Sequence, residues 1–570
     1  MNKAEKIICL VLGAVLAWYI FNETGKAKQS AGREAAVAAT NQVDEVAVGD
    51  EAGRRSTAKA EGARPVLEQA AKPTAPERVV SIENDDVKLE LTSWGAGVKQ
   101  VTLKRFARGC GPLSAENPAV VLDFAASPLG SSDAIEAFEV VTQDATSVTF
   151  RKGGATRTVS LRSDYRIDFA DDGLGGSMSL GSMRMGDSKN DLLSVDSLAL
   201  DAGKGKPGVI HHGDDDSPLK PYLVGGAAGG CSGAPSAVGM PEEVEVPYAG
   251  AQAWVAVKNR FFVTALASCS APGTGFTATV RRDMAAASYR PASVTARVGF
   301  ADGVQKRTAT FYVGPKKQAL LWDLGMRDVM EFGMWRWLCY PLVWVLNLFN
   351  GWIPNFGVAI ILLTILVRLL FWPLTHKSTE GMRKMQEIQP LMKEIQAKYK
   401  DNPQRLQQET WQLYRDKKVN PASSCLPMLI QIPVFIALFN VLRSAVELRY
   451  APFLWIADLS EPEALFAGWF PFGGLNVLPV AMAATTALQS YFTPSGGDRR
   501  QQRMMMVMMP AMMLVMFYSF PSALSLYWFL SNVFSIAQMW LIRRQAAAKS
   551  GVLEPEVIDP PQTRQMRRHA

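Results

Sequence analysis

Five apolar runs of membrane-crossing length dominate the second half of the chain, separated by polar and mostly basic connectors. They are 356–372, 425–442, 475–492, 504–520 and 524–542, each 17 to 19 residues. A helix needs about 20 apolar residues to cross a hydrocarbon core of about 30 Å, so each is close to the length of a span. A sixth run, 7–21, sits behind Lys3 and Lys6. It ends in Trp18, Tyr19, Ile20 and Phe21 with no small-residue cleavage site directly after it, which favours a retained signal-anchor over a cleaved signal peptide. The mean hydropathy of +0.03 over 570 residues therefore averages a membrane part with a soluble part.

A seventh apolar stretch, 334–349, carries Trp335, Trp337 and Trp344, and charge decides how it is read. Segment 374–422 holds ten Lys or Arg, segment 493–503 holds Arg499, Arg500 and Arg503, and six more basic residues follow Ile542. Segment 447–470 has only Arg449 against Glu447, Asp458, Glu461 and Glu463. With the N-terminus inside and 334–349 not spanning, every basic segment falls in the cytoplasm and the acidic one outside. Counting 334–349 as a span inverts them all. The positive-inside rule makes it a Trp-rich helix lying at the outer interface, and leaves six spans with both termini cytoplasmic.

Between the first and second spans the composition changes twice. Residues 26–78 are Ala, Gly, Lys, Glu, Thr and Gln with hardly an aromatic, a composition that cannot bury enough surface to offset chain entropy, and read as a flexible tether. From 79 to 330 the pattern has period two, as in 87–91, 158–162, 276–280 and 294–298, with Gly, Asp, Asn and Pro between the runs. Many short strands over this length predict a large antiparallel β-sandwich outside the cytoplasm. His211 and His212 beside Asp214, Asp215 and Asp216 read as a solvated loop rather than a metal site, because ligands need a fixed geometry. Cys9, Cys339 and Cys425 lie in apolar runs, which leaves Cys110, Cys231 and Cys269 to form at most one disulfide. No nucleotide, metal or catalytic motif occurs, so no cofactor and no catalytic residue are expected. The net charge of +7 is too mild to argue for nucleic acid.

Within 374–422, Met385, Ile388, Met392, Ile395 and Tyr399 recur at helical spacing, and 401–403 (Asp-Asn-Pro) supplies a turn, a cap and a first-turn proline before a second helix. The segment predicts a cytoplasmic helical hairpin, either merely solvated or a docking platform for ribosome or targeting factors. Pro390 is expected to kink the first helix or to begin one.

Polar groups in the apolar runs call for a reason. Arg368 is the only charged residue in 356–372, and a charge in a span costs on the order of 3 kcal/mol. Near the cytoplasmic end it could also simply snorkel. Thr364 lies four residues earlier on the same face. Tyr527, Ser531, Ser535 and Gln538 form one stripe with Asn532 beside it, and Gln431, Thr485 and Gln489 lie in the third and fourth spans. Polar stripes facing lipid are costly, so they are expected to converge on a water-accessible cavity made positive by Arg368. Pro427, Pro433, Pro479 and Pro510, with a Met-rich fifth span, suit pliable walls, although the methionines equally suit lipid contact.

The chain resembles the YidC-type membrane protein insertases of Gram-negative bacteria, which carry a large periplasmic domain. The resemblance rests on Asn355-Phe356-Gly357, Thr364 and Val367-Arg368, on Asn420-Pro421, Cys425-Leu426-Pro427 and Gln431-Ile432-Pro433, on Trp455 to Ser460, and on Phe520 to Leu524 with Tyr527-Trp528 and Ser531-Asn532. It is strong over 353–545 and thin in the ectodomain, where Trp254-Val255-Ala256 and Val313-Gly314-Pro315 carry it. It implies insertion and folding of nascent inner-membrane proteins, alone or beside the Sec translocon, through a groove open to cytoplasm and lipid. It implies that Arg368 draws in an acidic translocating tail, and that Thr364 and Trp528 touch the incoming span. It also implies that the ectodomain resembles a sugar-binding super-sandwich without catalysis.

The organisation expected is a signal-anchor (1–25), a tether (26–78), a periplasmic β-sandwich (79–330), an interfacial helix (331–352), a core of five spans (353–545) enclosing the 374–422 hairpin, and a basic cytoplasmic tail (546–570). Residues 22–333 are periplasmic, and the surroundings are membrane lipids of the inner membrane. Two rival readings stand beside the insertase: a transporter binding an anion at Arg368, against which no inverted repeat is visible, and a membrane-anchored periplasmic enzyme.

Overall fold

The computed structural model describes residues 64–65 and 74–550, except 108–118, 133–135, 185–192, 201–207, 213–241, 283–290, 302, 401, 418, 420–425, 467–473 and 493–498. The signal-anchor, most of the tether, Cys9, Cys110, Cys231, Cys425, the Asp214–Asp216 run and the last twenty residues of the tail lie outside them.

Period two becomes two antiparallel sheets. The smaller has four strands in chain order, Val79–Glu83, Val87–Thr92, Gly97–Ala107 and Ala119–Asp123. The larger runs in space through Met178–Arg184, Pro291–Phe300, Gly273–Arg282, Glu243–Lys258, Phe262–Cys269, Lys306–Pro315, Arg166–Asp172, Ala155–Leu161, Ser147–Lys152 and Glu139–Gln143. Ser194–Ala199 pairs with Glu243–Lys258 and with Gly208–His211. Alternate side chains point inward, so Leu89, Leu91, Val101, Leu103, Phe150, Phe169 and Phe311 fill the core between the sheets. This is a β-sandwich domain.

The ectodomain begins earlier than expected. Arg64–Pro65 pairs with Val244 and Glu245, Glu77 holds Lys99 at 2.8 Å, and the Trp94 indole donates to the Ala75 carbonyl at 3.0 Å. These pairings tie down parts of 26–78 that composition alone assigns to a tether, because strand addition and ion pairs need little apolar area. The His211–His212 loop is also corrected. His211 ends a strand, and His212 is buried, accepting or donating a hydrogen bond with Ser197 Oγ at 2.9 Å and packed edge-on against the stacked rings of Tyr248 and Phe276.

The C-terminal region is helical. The elements are α1 (Gln318–Asp323), α2 (Arg336–Trp352), α3 (Phe356–Glu387), α4 (Gln389–Lys398), α5 (Pro403–Asp416), α6 (Leu426–Ser444), α7 (Val477–Phe492), α8 (Arg499–Phe517) and α9 (Ser522–Ser550). Asn355 starts α3 by accepting from the Val358 amide at 3.2 Å. The chain breaks at Ile388, with Pro390 in the first turn of α4, and the Asn402 side chain caps α5 through the Arg405 amide at 3.1 Å. Tyr414 of α5 reaches Met392 Sδ of α4 at 3.7 Å.

Among the described residues one helical stretch, Phe356–His376, is long and apolar enough to cross a membrane. Gln431–Ser444, Val477–Ser490 and Met506–Phe517 are shorter apolar helices. The outer face of α8 is uncovered by protein, with Val515 79% and Val507 65% exposed.

The turn at Arg260 fixes the ectodomain on the helices. Asn259 Oδ1 accepts from the Phe261 and Phe262 amides, forming a turn that presents Arg260. Arg260 donates to the Arg443 carbonyl at 2.8 Å, the Ser460 carbonyl at 2.8 Å and Glu461 at 3.1 Å. Glu461 also takes Arg449 at 2.8 Å, while its carbonyl accepts from the Ser522 amide at the start of α9. At the head of α3, a Cβ on Gly357 would lie 2.0 Å from Phe453 Cδ2. Gly357→Val is therefore expected to destabilise the helical region by about 1–3 kcal/mol, as overpacking does. Unchanged thermal unfolding in detergent would mean that the Phe453 ring swings aside freely.

Candidate substrate groove

Four polar residues of α9, Tyr527, Ser531, Asn532 and Gln538, are hydrogen-bonded to other helices. Arg368 on α3 donates through Nη2 to the Ser531 carbonyl at 2.7 Å and to Ser531 Oγ. Gln431 on α6 donates to Tyr527 Oη at 2.9 Å. Asn532 donates to Thr486 Oγ1 at 2.8 Å on α7, with Thr485 Oγ1 at 3.3 Å, and Gln538 donates to Thr375 Oγ1 at 2.9 Å on α3. Each bond supplies a partner that lipid could not.

Arg368 stands apart. Its guanidinium is half-buried, and no carboxylate among the described residues lies within ion-pair distance of it. Of its donors, only Nη2 is hydrogen-bonded there. Such a cation retains the capacity to bind an anion.

The remaining candidates lie elsewhere around this centre. Thr364 is fully buried, donating back to the Ile360 carbonyl at 2.7 Å, and so presents no surface. Ser535 donates to the Ser531 carbonyl of its own helix at 3.0 Å. Trp528 packs edge-on to Phe435 with centroids 5.0 Å apart, and against Phe517 at 5.4 Å. Gln489 is half-buried on α7. Thr375 and Thr486 were not singled out from the sequence. Their only signal was a position seven residues after Arg368 on α3 and adjacency to Thr485.

The ectodomain holds charged groups of its own. Lys258, fully buried, binds Asp196, Glu331 Oε1 at 2.8 Å and the Val329 carbonyl at 2.9 Å, while His211 Nδ1 meets Asp196 at 3.0 Å. Asp196, His211 and Glu331 are close enough together to hold a cation. The Lys258 ammonium already fills that role, so the cluster does not fit a metal. Burial pushes Asp196 up, but Lys258 and His211 outweigh it and its carboxyl falls below the usual range. The Asp196 hydrogen bond raises His211.

Burial lowers His212 to about 4. Its folded value lies below the unfolded 6.5, so the unfolded state binds the extra proton and stability is lost as pH falls from 6.5 toward 4. His211 acts in another window, since its contribution is complete below 6.5 and fades as pH rises through its raised value. From pH 6.5 to about pH 5 the His212 loss is about 2 kcal/mol. His212→Phe should flatten the unfolding midpoint of the full chain over that interval. An unchanged slope would show that His212 takes up its proton while folded.

Residues 348–549 match the family model described as 60Kd inner membrane protein, and residues 241–345 match that of the YidC periplasmic domain. The two stretches take in more than half of the chain. The chain belongs to the YidC family. A "Membrane protein insertase YidC" of Syntrophobacter fumaroxidans is 43% identical over 301 residues, covering 51% of this chain and 54% of that protein. One of Prosthecochloris aestuarii is 34% identical over 333 residues, covering 56% and 57%. The match thus spans about half the length of these curated relatives. A solved structure titled as an active YidC insertase with its first transmembrane domain resolved is 18% identical, covers 84% of this chain and 95% of that one, and has a TM-score of 0.34. All eight candidate groove residues fall inside the 60Kd match, which begins near the end of α2 and runs through α9. The YidC periplasmic match takes in Glu243–Lys258, the four ectodomain strands after it, α1 and the first part of α2.

Proposed function

We propose that the chain is a membrane protein insertase and chaperone that inserts newly made inner-membrane proteins and helps them fold. The observation that carries this reading is the unpaired Arg368 cation, held by Ser531 at the centre of a polar stripe on helices of the 60Kd family region. The stripe lines a groove open to cytoplasm and lipid. Arg368 attracts the acidic tail that must cross, and the polar groups lower the barrier for moving it. The apolar span of the substrate then leaves sideways into lipid, driven at about 25 cal/mol per Å² of apolar surface. The membrane potential assists acidic tails by about 2.3 kcal/mol per charge per 100 mV. Such a cycle needs no nucleotide, cofactor or catalytic residue.

The topology that goes with it has six spans, both termini cytoplasmic, residues 22–333 periplasmic and α2 at the outer interface. α4 and α5 form the cytoplasmic hairpin which, with the basic tail, meets ribosome or targeting factors, and the chain acts alone or with the Sec translocon. The domain limits are those expected from the sequence, save that the ectodomain also takes in Arg64–Pro65 and Glu77 from the tether. Residues Arg368, Thr364, Gln431, Gln489, Tyr527, Trp528, Asn532 and Ser535 form the groove or its walls, with Thr364 acting from within the packing.

The test is reconstitution into liposomes without nucleotide, followed by protease protection of a small single-span substrate. Protection above protein-free liposomes is the expected result. Absence of protection with the translocon also supplied, together with solute flux, would overturn the reading in favour of an anion transporter.

A further inference from the structure

Where the ectodomain meets the helices there is a cavity of about 770 Å³, within the range of small-ligand sites. Its walls come from four separate places: Arg105 and Phe106 at the end of a strand, Lys317 just before α1, Asn347 near the end of α2, and Glu447 in the loop after α6. Phe356, the first residue of the spanning helix, closes one side, so the cavity lies at the level where α3 enters the membrane. Trp352 (69% exposed) and Ile353 (44%) follow Asn347 on the same segment and offer an uncovered apolar edge next to it.

Charge inside the cavity is arranged in two halves. Lys317 holds no ion pair among the described residues, and its ammonium sits 5.6 Å from the Phe106 ring centre. Arg105 beside it is bridged to Asp86 and largely exposed. Opposite in sign, Glu447 is half-buried and takes a hydrogen bond from Asn347. Arg449, also on the wall, is already engaged by Asp458 and Glu461. A cation and a carboxylate that hold no ion pair among the described residues, in one cavity at a membrane surface, match a ligand that carries both charges and an apolar tail.

We propose that this cavity binds the zwitterionic headgroup of phosphatidylethanolamine, with the phosphate on Lys317 and Arg105, the ammonium on Glu447, and the acyl chains leaving past Trp352 and Ile353. Burial pushes the Glu447 carboxyl up and Lys317 draws it back, so a bound ammonium would hold it ionised. A phosphatidylglycerol headgroup satisfies only the cationic half. Phosphatidylcholine carries the charge but cannot donate a hydrogen bond to Glu447.

The site rests on the topology proposed above only for which leaflet supplies the lipid, and binding is measured without a membrane. The experiment is native mass spectrometry of the full chain in detergent, titrated with short-chain phosphatidylethanolamine, phosphatidylglycerol, phosphatidylcholine and inorganic phosphate. Phosphatidylethanolamine should be retained best. Lys317→Glu should weaken it about tenfold, the value of one charged contact, and Lys317→Gln serves if the first variant does not fold. Glu447→Gln should leave phosphatidylethanolamine no better than phosphatidylglycerol. Equal binding of the three lipids, or equal binding by wild type and variants, overturns the site. So does displacement of the lipid by an equal concentration of inorganic phosphate, which would mark a free-phosphate site. Lipid lost in Lys317→Glu while insertion persists leaves the insertase reading standing, and failed insertion by a wild type that retains the lipid leaves the lipid site standing.

Discussion

Arg368→Ala is expected to lower insertion of substrates with acidic tails by about ten- to a hundredfold, with a much smaller effect on neutral tails. At an effective dielectric of about 20, one charge about 6 Å from another is worth roughly 3 kcal/mol, and water in the groove reduces this toward one to two tenfold steps. The structure gives the reason to look at this residue: its guanidinium is half-buried, tied by Nη2 to Ser531, and paired with no carboxylate among the described residues. Arg368→Lys should retain more activity than alanine, because the charge persists while the bond to Ser531 is remade less well. Protease protection of two substrates differing only in tail charge measures the effect. Equal losses for both would remove the electrostatic role and leave Arg368 as a packing residue between α3 and α9.

Asp171→Ala should cost the ectodomain about 3–5 kcal/mol, the scale of breaking a buried ion network by removing one partner. Among the described residues, Asp171 is the sole carboxylate in contact with the two buried guanidinia of Arg157 and Arg307. Arg157 donates to it at 2.6 and 2.8 Å, and Arg307 at 2.8 and 3.1 Å. All three side chains are 3% exposed or less. Without Asp171, Arg157 keeps the Gly95 and Gly130 carbonyls and Arg307 keeps the Gly176 carbonyl, but two charges face each other unneutralised. Thermal unfolding of the full chain should show the ectodomain transition moving down while the helical region holds. A shift of less than about 1 kcal/mol would mean that water enters and solvates the arginines. The same variant separates stability from function, since insertion driven by the Arg368 groove should persist while the ectodomain stays folded.

Some of this molecule could be read from residues alone. Alternation in 87–91 and 294–298 became paired strands with the expected faces buried, because side-chain direction in a strand follows from the backbone period. Asn402 and Pro403 open α5, and the chain breaks beside Pro390, because caps and prolines act within one turn. The spacing of Tyr527, Ser531 and Gln538 put three polar groups on one face of α9. The family was legible too, since its motifs are contiguous. What the sequence could not supply was the partner of each group. Arg368 meets Ser531 across 163 positions and Gln431 meets Tyr527 across 96, and these contacts depend on the rotation and depth at which whole helices pack. His212 looked like part of a solvated loop because its neighbours are polar, yet strand pairing carries it against the stacked rings of Tyr248 and Phe276. Asp171, Arg157 and Arg307 gave no signal at all, as a charged residue at an inward strand position reads like any interruption until its counter-ions arrive from other strands. Local periodicity and charge depend on near neighbours and survive in a one-dimensional reading. Pairing across the fold is set by packing, and only the tertiary structure decides it.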